Sequence, residues 1–111
     1  MPATDEIEVR GDATYLHVTT NETIGGIRLP EVPRIEVPLV SDMSSDFLSR
    51  AIDWDVHDLV YGGAQKNLGP AGLTVVIMRR DRLSTHGRDL ASYLDYATHE
   101  ASDSMANTPP M

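Results

Sequence analysis

The sequence predicts an α/β domain built on a mixed, mostly parallel sheet, and three observations indicate this fold class. Short β-rich stretches recur along the chain and are bounded by turn residues or acids. The interval between two of these stretches is long enough for a parallel connection, which needs about a dozen residues or more. The last apolar run follows a segment of only six residues, NLGPAG, which is too short for a crossover and predicts an antiparallel return.

The first strand is predicted at residues 15–19 (YLHVT), where apolar and polar side chains alternate in a β-rich run. Turn residues follow it, because Asn21 and Glu22 precede a pair of glycines at residues 25–26. A second short extended stretch is predicted at residues 26–29. It leads into a linker that contains Pro30, Pro33 and Pro38.

The next two strands are separated by a long connection. Residues 39–42 (LVSD) form a short strand that starts after a proline, because proline cannot donate to a central ladder. Residues 43–57 are long enough for the crossover, and Asp53 is a candidate cap for one helical turn within them. A third strand begins at residues 59–62 and ends near Lys66.

This order of strands predicts an acid and an amine at one edge of the sheet. Asp42 ends one strand and Lys66 follows its neighbour, so both are expected at or just beyond the carboxyl ends of parallel strands. In open α/β sheets that edge is where ligands bind. The apolar run at residues 73–78 then returns antiparallel and makes the sheet mixed.

Helices are sparse in this sequence. Apolar side chains follow the i, i+3, i+4, i+7 pattern of one short helix at Leu90, Tyr93, Leu94 and Ala97. No amphipathic helix of ten residues or more is evident, although a largely parallel sheet must be covered on both faces. We therefore expect residues 1–111 to form part of a larger domain, and we expect the isolated chain to expose apolar sheet.

The composition argues against several classes of function. The net charge is −8, and the chain has no basic stripe of the kind that nucleic-acid binding needs. The four histidines show no metal-ligand spacing, so no metal site is predicted. No apolar run approaches membrane-spanning length, and the acidic N-terminus is unlike a secretory signal. Together with the absence of cysteine, these features predict a cytoplasmic protein without a membrane partner.

Lys66 is the only lysine in a chain that carries eight arginines. A guanidinium stays protonated at physiological pH, whereas a buried ammonium can lose its proton and attack a carbonyl. The alternative is that genomic drift favoured arginine and left Lys66 as an ordinary surface residue. A lysine on a loop after one strand and an aspartate at the end of another is the arrangement that pyridoxal phosphate enzymes require. In those enzymes the amine bonds to the cofactor aldehyde and the carboxylate pairs with the pyridine nitrogen.

Four segments closely resemble successive segments of phosphoserine aminotransferase, a homodimeric fold-type-I pyridoxal phosphate enzyme. They are ATYLHVTTNETIGGI, SDMSSDFLSRAID, YGGAQKNLGPAGLTVVIMRRD and DSMANTPP. The resemblance implies that residues 1–111 are a partial pyridoxal phosphate-binding large domain, without its N-terminal part and without the C-terminal small domain. It also implies transfer of an amino group from glutamate to 3-phosphohydroxypyruvate, which gives O-phosphoserine and 2-oxoglutarate. This reaction belongs to serine biosynthesis and, in some bacteria, the enzyme also serves pyridoxine biosynthesis.

The resemblance assigns roles to single residues. It makes Lys66 the lysine that bonds to the cofactor and carries the proton to and from the substrate α-carbon. It makes Asp42 the partner of the pyridine nitrogen, Thr23 a contact of the ring's 3′-oxygen, and Gln65 a ligand of the cofactor phosphate. From the residues alone, Thr23 and Gln65 could be ordinary turn residues and Asp42 a strand-end cap.

The segment near the C-terminus is implied to act between subunits. Asn107 and Thr108 resemble the pair that reaches across a homodimer to the phosphate held by the other subunit. The simpler alternative is that they cap a following helix. The two roles are compatible, because a helix N-terminus also favours an anion. The resemblance therefore predicts a homodimer with shared cofactor sites.

A second hypothesis comes from a different class of function. The chain lacks the family's upstream phosphate-binding glycine segment, the aromatic that stacks on the cofactor and the substrate-binding arginines. It could therefore be a catalytically inactive remnant that acts at most as a self-associating module. The coding sequence on either side of this segment separates the two hypotheses.

Overall fold

The fold is centred on a four-stranded sheet, seen in a computed structural model that describes residues 3–84 and 87–106. A two-stranded hairpin accompanies the sheet. The strands are β1 (Leu16–Thr19), β2 (Asn21–Glu22), β3 (Ile27–Arg28), β4 (Leu39–Asp42), β5 (Leu59–Gly63) and β6 (Thr74–Met78).

The strand order of the main sheet is β1-β4-β5-β6. The pairs β1–β4 and β4–β5 are parallel, and β6 returns antiparallel to β5. The prediction of a mixed, mostly parallel sheet is thereby confirmed. The register brings Thr19, Asp42, Tyr61 and Val76 into one row across the four strands, so these side chains share a face of the sheet.

The hairpin of β2 and β3 lies beyond the end of β1. Residues 23–26 form its turn, in which Gly26 takes the left-handed φ of 64° that favours glycine. The Glu22 carboxylate accepts hydrogen bonds from the backbone N–H groups of Gly25 and Ile24, and these bonds lower the pKa of Glu22. The sequence pattern predicts a turn for both residues of β2, but the structure pairs them with β3 because four residues suffice to close the hairpin.

The crossover between β4 and β5 covers one face of the sheet. Its Met43 and Phe47 pack with Val60 of β5 as the buried core, to which Ile52, Leu68 and Val75 add partly buried side chains. In the described part of the chain this crossover contains turns and no helix. Asp53 accepts a hydrogen bond from the backbone N–H of residue 55 at 3.2 Å, but the segment that it caps is a turn and not the predicted helical turn.

A buried carboxylate fastens the crossover to the end of β1. Asp46 is 6% exposed and accepts a 2.5 Å hydrogen bond from the Thr20 hydroxyl. The Arg50 guanidinium lies 3.5 Å from the other oxygen of Asp46 and donates to the carbonyl oxygens of Leu29 and Pro30. Because an unpaired buried charge is costly, this ion pair resists any displacement of the crossover from the hairpin.

The helices are short. The helix α1 (Ala64–Asn67) follows β5 directly, and α2 (Tyr96–Ala101) begins after Asp95, whose carboxylate accepts from the backbone N–H of Ala97 at 3.0 Å. The predicted helical pattern starts at residue 90, but the helix begins later because Asp95 supplies the cap. A 3₁₀ turn at Ser92–Leu94 precedes it. Among the described residues, no helix has the length and apolar character needed to cross a membrane.

Candidate functional site

Lys66 lies on the one-turn helix α1, at the carboxyl end of β5. Gly63 is the N-cap of this helix and has an extended backbone, while the carbonyl oxygen of Ala64 accepts from the N–H groups of Leu68 and Gly69 at 3.1 and 2.8 Å. The sequence predicts Lys66 on a loop near the strand end, and the helical turn refines that position. Its exposed side chain projects from the carboxyl edge of the sheet.

The Lys66 amine meets a hydroxyl from a distant part of the chain. Its Nζ donates to Thr23 Oγ1 at 3.2 Å, across 43 positions in sequence. The hairpin that carries Thr23 is fixed to the crossover, because Asn21 Nδ2 donates to Ser45 Oγ at 2.9 Å and Ser45 Oγ donates to the Asn21 carbonyl oxygen at 2.6 Å. Lys66 and Thr23, each predicted separately as a site residue, are therefore brought together by the helix α1 and the anchored hairpin.

Asp42 ends β4, the parallel neighbour of β5, as the spacing predicts. Its Oδ1 accepts from the backbone N–H of Ser44 at 2.9 Å and from the Ser44 hydroxyl at 2.7 Å. The Ser44 oxygen in turn accepts from the backbone N–H of Gly63 at 3.1 Å. Hydrogen bonds of this kind hold a carboxylate in one direction.

Tyr61 and His17 extend the site along the same face of the sheet. Tyr61 lies opposite Asp42 in the register, and its hydroxyl is 3.0 Å from His17 Nε2. Burial, together with the negative charge of Asp42, raises the pKa of Tyr61. The Tyr61 hydroxyl therefore keeps its proton at neutral pH.

Sequence reasoning did not single out Ser44 or Tyr61, and for His17 it concluded that the spacing of the histidines does not suit a metal site. A signal for Tyr61 and His17 was present in the strand alternation. Residues opposite one another, or two apart on a strand, share a face, and this rule groups both with Asp42 once the register is known. No such periodic signal marks Ser44, because it lies in a turn.

Gln65 occupies the same edge as Lys66. A Cβ atom placed on Gly63 would lie 2.7 Å from Gln65 Oε1, so the amide folds over the glycine backbone. Gln65 is exposed and therefore accessible to a ligand. The other two predicted phosphate contacts, Asn107 and Thr108, lie outside the described residues.

The described histidines bond to protein groups. His57 Nδ1 is 3.1 Å from Ser41 Oγ, and burial lowers the pKa of His57. His99 Nε2 is 3.0 Å from the carbonyl oxygen of Tyr93. Within residues 3–84 and 87–106, no cluster of three or more potential metal ligands occurs.

Comparison with known proteins identifies the family and the fold. The family described as "Aminotransferase class-V" matches residues 2–110. The phosphoserine aminotransferases of Laribacter hongkongensis and Bacillus subtilis are 51% and 50% identical over 110 residues. These alignments cover 99% of this chain and 31% and 30% of the two relatives, so the chain spans less than a third of their length.

Solved structures agree with this comparison. The phosphoserine aminotransferase of Bacillus circulans subsp. alkalophilus superposes with a TM-score of 0.88 at 47% identity, covering 99% of this chain and 31% of that one. The PLP-bound phosphoserine aminotransferase of Trichomonas vaginalis superposes with a TM-score of 0.80 at 39% identity, covering 98% and 32%.

The mixed sheet thus defines a segment of an α/β fold with an amine at its carboxyl edge. Since the class-V profile covers almost the whole sequence, the chain belongs to the class-V aminotransferase family. Within that family, both the sequence relatives and the solved structures named above are phosphoserine aminotransferases.

Proposed function

We propose that this chain supplies part of the pyridoxal phosphate site of a phosphoserine aminotransferase. The proposed reaction moves an amino group from glutamate to 3-phosphohydroxypyruvate and yields O-phosphoserine and 2-oxoglutarate. One observation carries the proposal: the Lys66 amine lies 3.2 Å from the Thr23 hydroxyl at the edge where Asp42 ends the adjacent parallel strand. The relatives' names support the substrate class.

The chemistry of these side chains fits the cofactor. Lys66 presents an exposed primary amine, which can bond to an aldehyde, and Thr23 presents a hydroxyl beside it. The Asp42 carboxylate is hydrogen-bonded through one oxygen to Ser44, which orients it to pair with a protonated ring nitrogen. Gln65, folded over the glycine that caps α1, offers an amide to a phosphate.

Each residue has a proposed task. When bound, the cofactor supplies an electron sink for the substrate α-carbon. Lys66 holds the cofactor and then moves the proton at the α-carbon, and Asp42 holds the proton at the ring nitrogen. Thr23 orients the ring through its 3′-oxygen, and Gln65 binds the phosphate. Residues 1–111 would then be one part of the large domain, and the rest of that domain would bind the substrate.

The covalent role of Lys66 is tested by trapping. Borohydride reduction of the full-length protein with pyridoxal phosphate should place the label on the peptide that contains Lys66, and a coupled assay should detect phosphoserine formation. Lys66→Arg, which keeps the positive charge but cannot form the bond at neutral pH, should lose both signals. Label on another amine, or full activity in Lys66→Arg, would contradict the proposal.

We also propose that the complete protein is a cytosolic homodimer, in which Asn107 and Thr108 contact the phosphate held by the partner subunit. The absence of cysteine supports a reducing compartment. The family resemblance of the NTPP segment supports the dimer.

Mixed dimers test the proposed exchange between subunits. Subunits with Lys66→Ala and subunits altered at Asn107 and Thr108 should each be nearly inactive alone. A heterodimer has one site with an intact Lys66 and unaltered Asn107 and Thr108 from its neighbour, so random mixing should restore about a quarter of parental activity. If mixing restores nothing, Asn107 and Thr108 act within their own subunit.

A further inference from the structure

We infer that Ser44 is a positioning residue that holds the Asp42 carboxylate in register with the segment that carries Lys66. This inference rests on the proposed function, because it assigns Ser44 a role in the same cofactor site. Neither the sequence motifs nor the resemblance assigned a task to this serine.

The first support is a continuous chain of hydrogen bonds. The Gly63 N–H donates to Ser44 Oγ at 3.1 Å, and Ser44 Oγ donates to Asp42 Oδ1 at 2.7 Å. Gly63 is the N-cap of α1, the helix that contains Lys66. One hydroxyl group therefore links the carboxylate at the end of β4 to the start of the helix that follows β5.

The second support is close packing beneath this link. A Cβ atom placed on Gly62 would lie 3.3 Å from the backbone N and Cα of Ser44 and 2.8 Å from Phe47 Cδ2. The end of β5 thus approaches the Ser44 backbone as closely as glycine allows. Ser44 therefore has little freedom to move, and its hydroxyl is held within hydrogen-bond distance of both Asp42 and Gly63.

The physical consequence concerns the orientation of the carboxylate. The final torsion of an aspartate is broad, so the Asp42 carboxylate could rotate if it were not held. Two donors from Ser44 meet at Oδ1 and hold the carboxylate in one orientation. A charged partner held in one orientation stabilises the reaction more than one that must reorganise.

Removal of the hydroxyl should affect turnover more than binding. In the full-length enzyme with bound cofactor, Ser44→Ala retains the backbone donor but loses the bridge between Asp42 and Gly63. We expect kcat to fall by about tenfold to a hundredfold, since small displacements of catalytic groups have effects of this size. The KM for glutamate should stay within about threefold, because the inferred role of Ser44 is to orient Asp42 and not to bind the amino acid.

Two further variants separate positioning from a general structural effect. Ser44→Thr keeps the hydroxyl and should recover kcat to within about threefold of the parent. Ser49→Ala removes an exposed hydroxyl from the same crossover and should leave kcat unchanged. Thermal unfolding of the three variants should give midpoints within a few degrees of the parent.

The outcomes are distinct. A kcat loss in Ser44→Ala that Ser44→Thr recovers supports the inference. A kcat within twofold of the parent in Ser44→Ala, an equal loss in Ser44→Thr, or a matching collapse of thermal stability overturns it. The proposed function stands, whatever the Ser44 variants show, if the parent enzyme transaminates and is labelled at Lys66. An inactive, unlabelled parent enzyme overturns both the proposed function and this inference.

Discussion

Asp42 combines a negative charge with a fixed direction, and this combination is what its proposed role requires. It is half-buried at the end of β4, where Ser44 donates twice to the same oxygen. Lys66 differs from it, because the amine is exposed and donates to the Thr23 hydroxyl. The site therefore pairs a firmly held acid with an accessible amine.

The charge of Asp42 can be removed without changing its shape. Asp42→Asn in the full-length enzyme should still fold and bind cofactor, but transamination should fall by about a hundredfold or more, because a neutral amide cannot hold the ring proton by charge. Steady-state kinetics and the visible absorption of bound cofactor measure the two effects.

The control for this change is Asp55→Asn, which neutralises an exposed aspartate of the crossover and should leave turnover unchanged. Near-normal turnover in Asp42→Asn would mean that Asp42 has another task.

At the scale of the elements, the site depends on how closely the ends of β4 and β5 approach the crossover. The tight contact lies at Gly62, whose missing side chain leaves space for Phe47 and for the Ser44 backbone. Gly69, just beyond α1, has no atom within 4 Å of a Cβ position. The two glycines therefore offer a matched comparison between a crowded and an open position.

Gly62→Ala should destabilise the protein by about 1–3 kcal/mol, because the added methyl group must displace an aromatic ring or backbone atoms. It should also lower turnover, since it pushes on Ser44. Gly69→Ala should be neutral or slightly stabilising. Thermal or denaturant unfolding of the cofactor-loaded enzyme compares them, and equal stabilities for the two variants would refute the packing argument.

The whole chain is more open than a compact protein of its size. It exposes 8,034 Å², although its mass is 12.2 kDa, and a compact monomer of that mass exposes about 6,100 Å². Its radius of gyration is 15.3 Å, compared with about 13 Å for a compact domain of this length. On β6, the adjacent residues Val76 and Ile77 are both exposed, so both faces of this strand lack full cover.

We therefore expect the isolated 111-residue chain to be poorly soluble or oligomeric and to lack transaminase activity. Exposed apolar strands associate in water, and the chain spans less than a third of the length of the relatives named above. Size-exclusion chromatography, denaturant unfolding and a coupled assay test this expectation. A soluble monomer that unfolds cooperatively would show that the sheet is better covered than its surface area indicates.

Local sequence determined most of the sheet and part of the site. Alternation, proline positions and connection lengths predicted the four main strands, the parallel pairing of β4 with β5 and the antiparallel return of β6, because these signals act over a few residues. They also placed Asp42 and Lys66 at one edge. Helix α2 was predicted to begin at residue 90, before its actual start at Tyr96, since apolar spacing alone does not reveal where a cap will form.

Only the tertiary structure decided which side chains meet at that edge. The contact of Lys66 with Thr23 spans 43 positions, and the link from Gly63 through Ser44 to Asp42 joins two strand ends. Such contacts depend on strand register and on the path of the crossover, which are set by long-range packing. The sequence by itself thus determined the strands and the chemical groups, and the packed sheet determined their partners, because hydrogen-bond geometry arises only when distant segments are held at fixed distances.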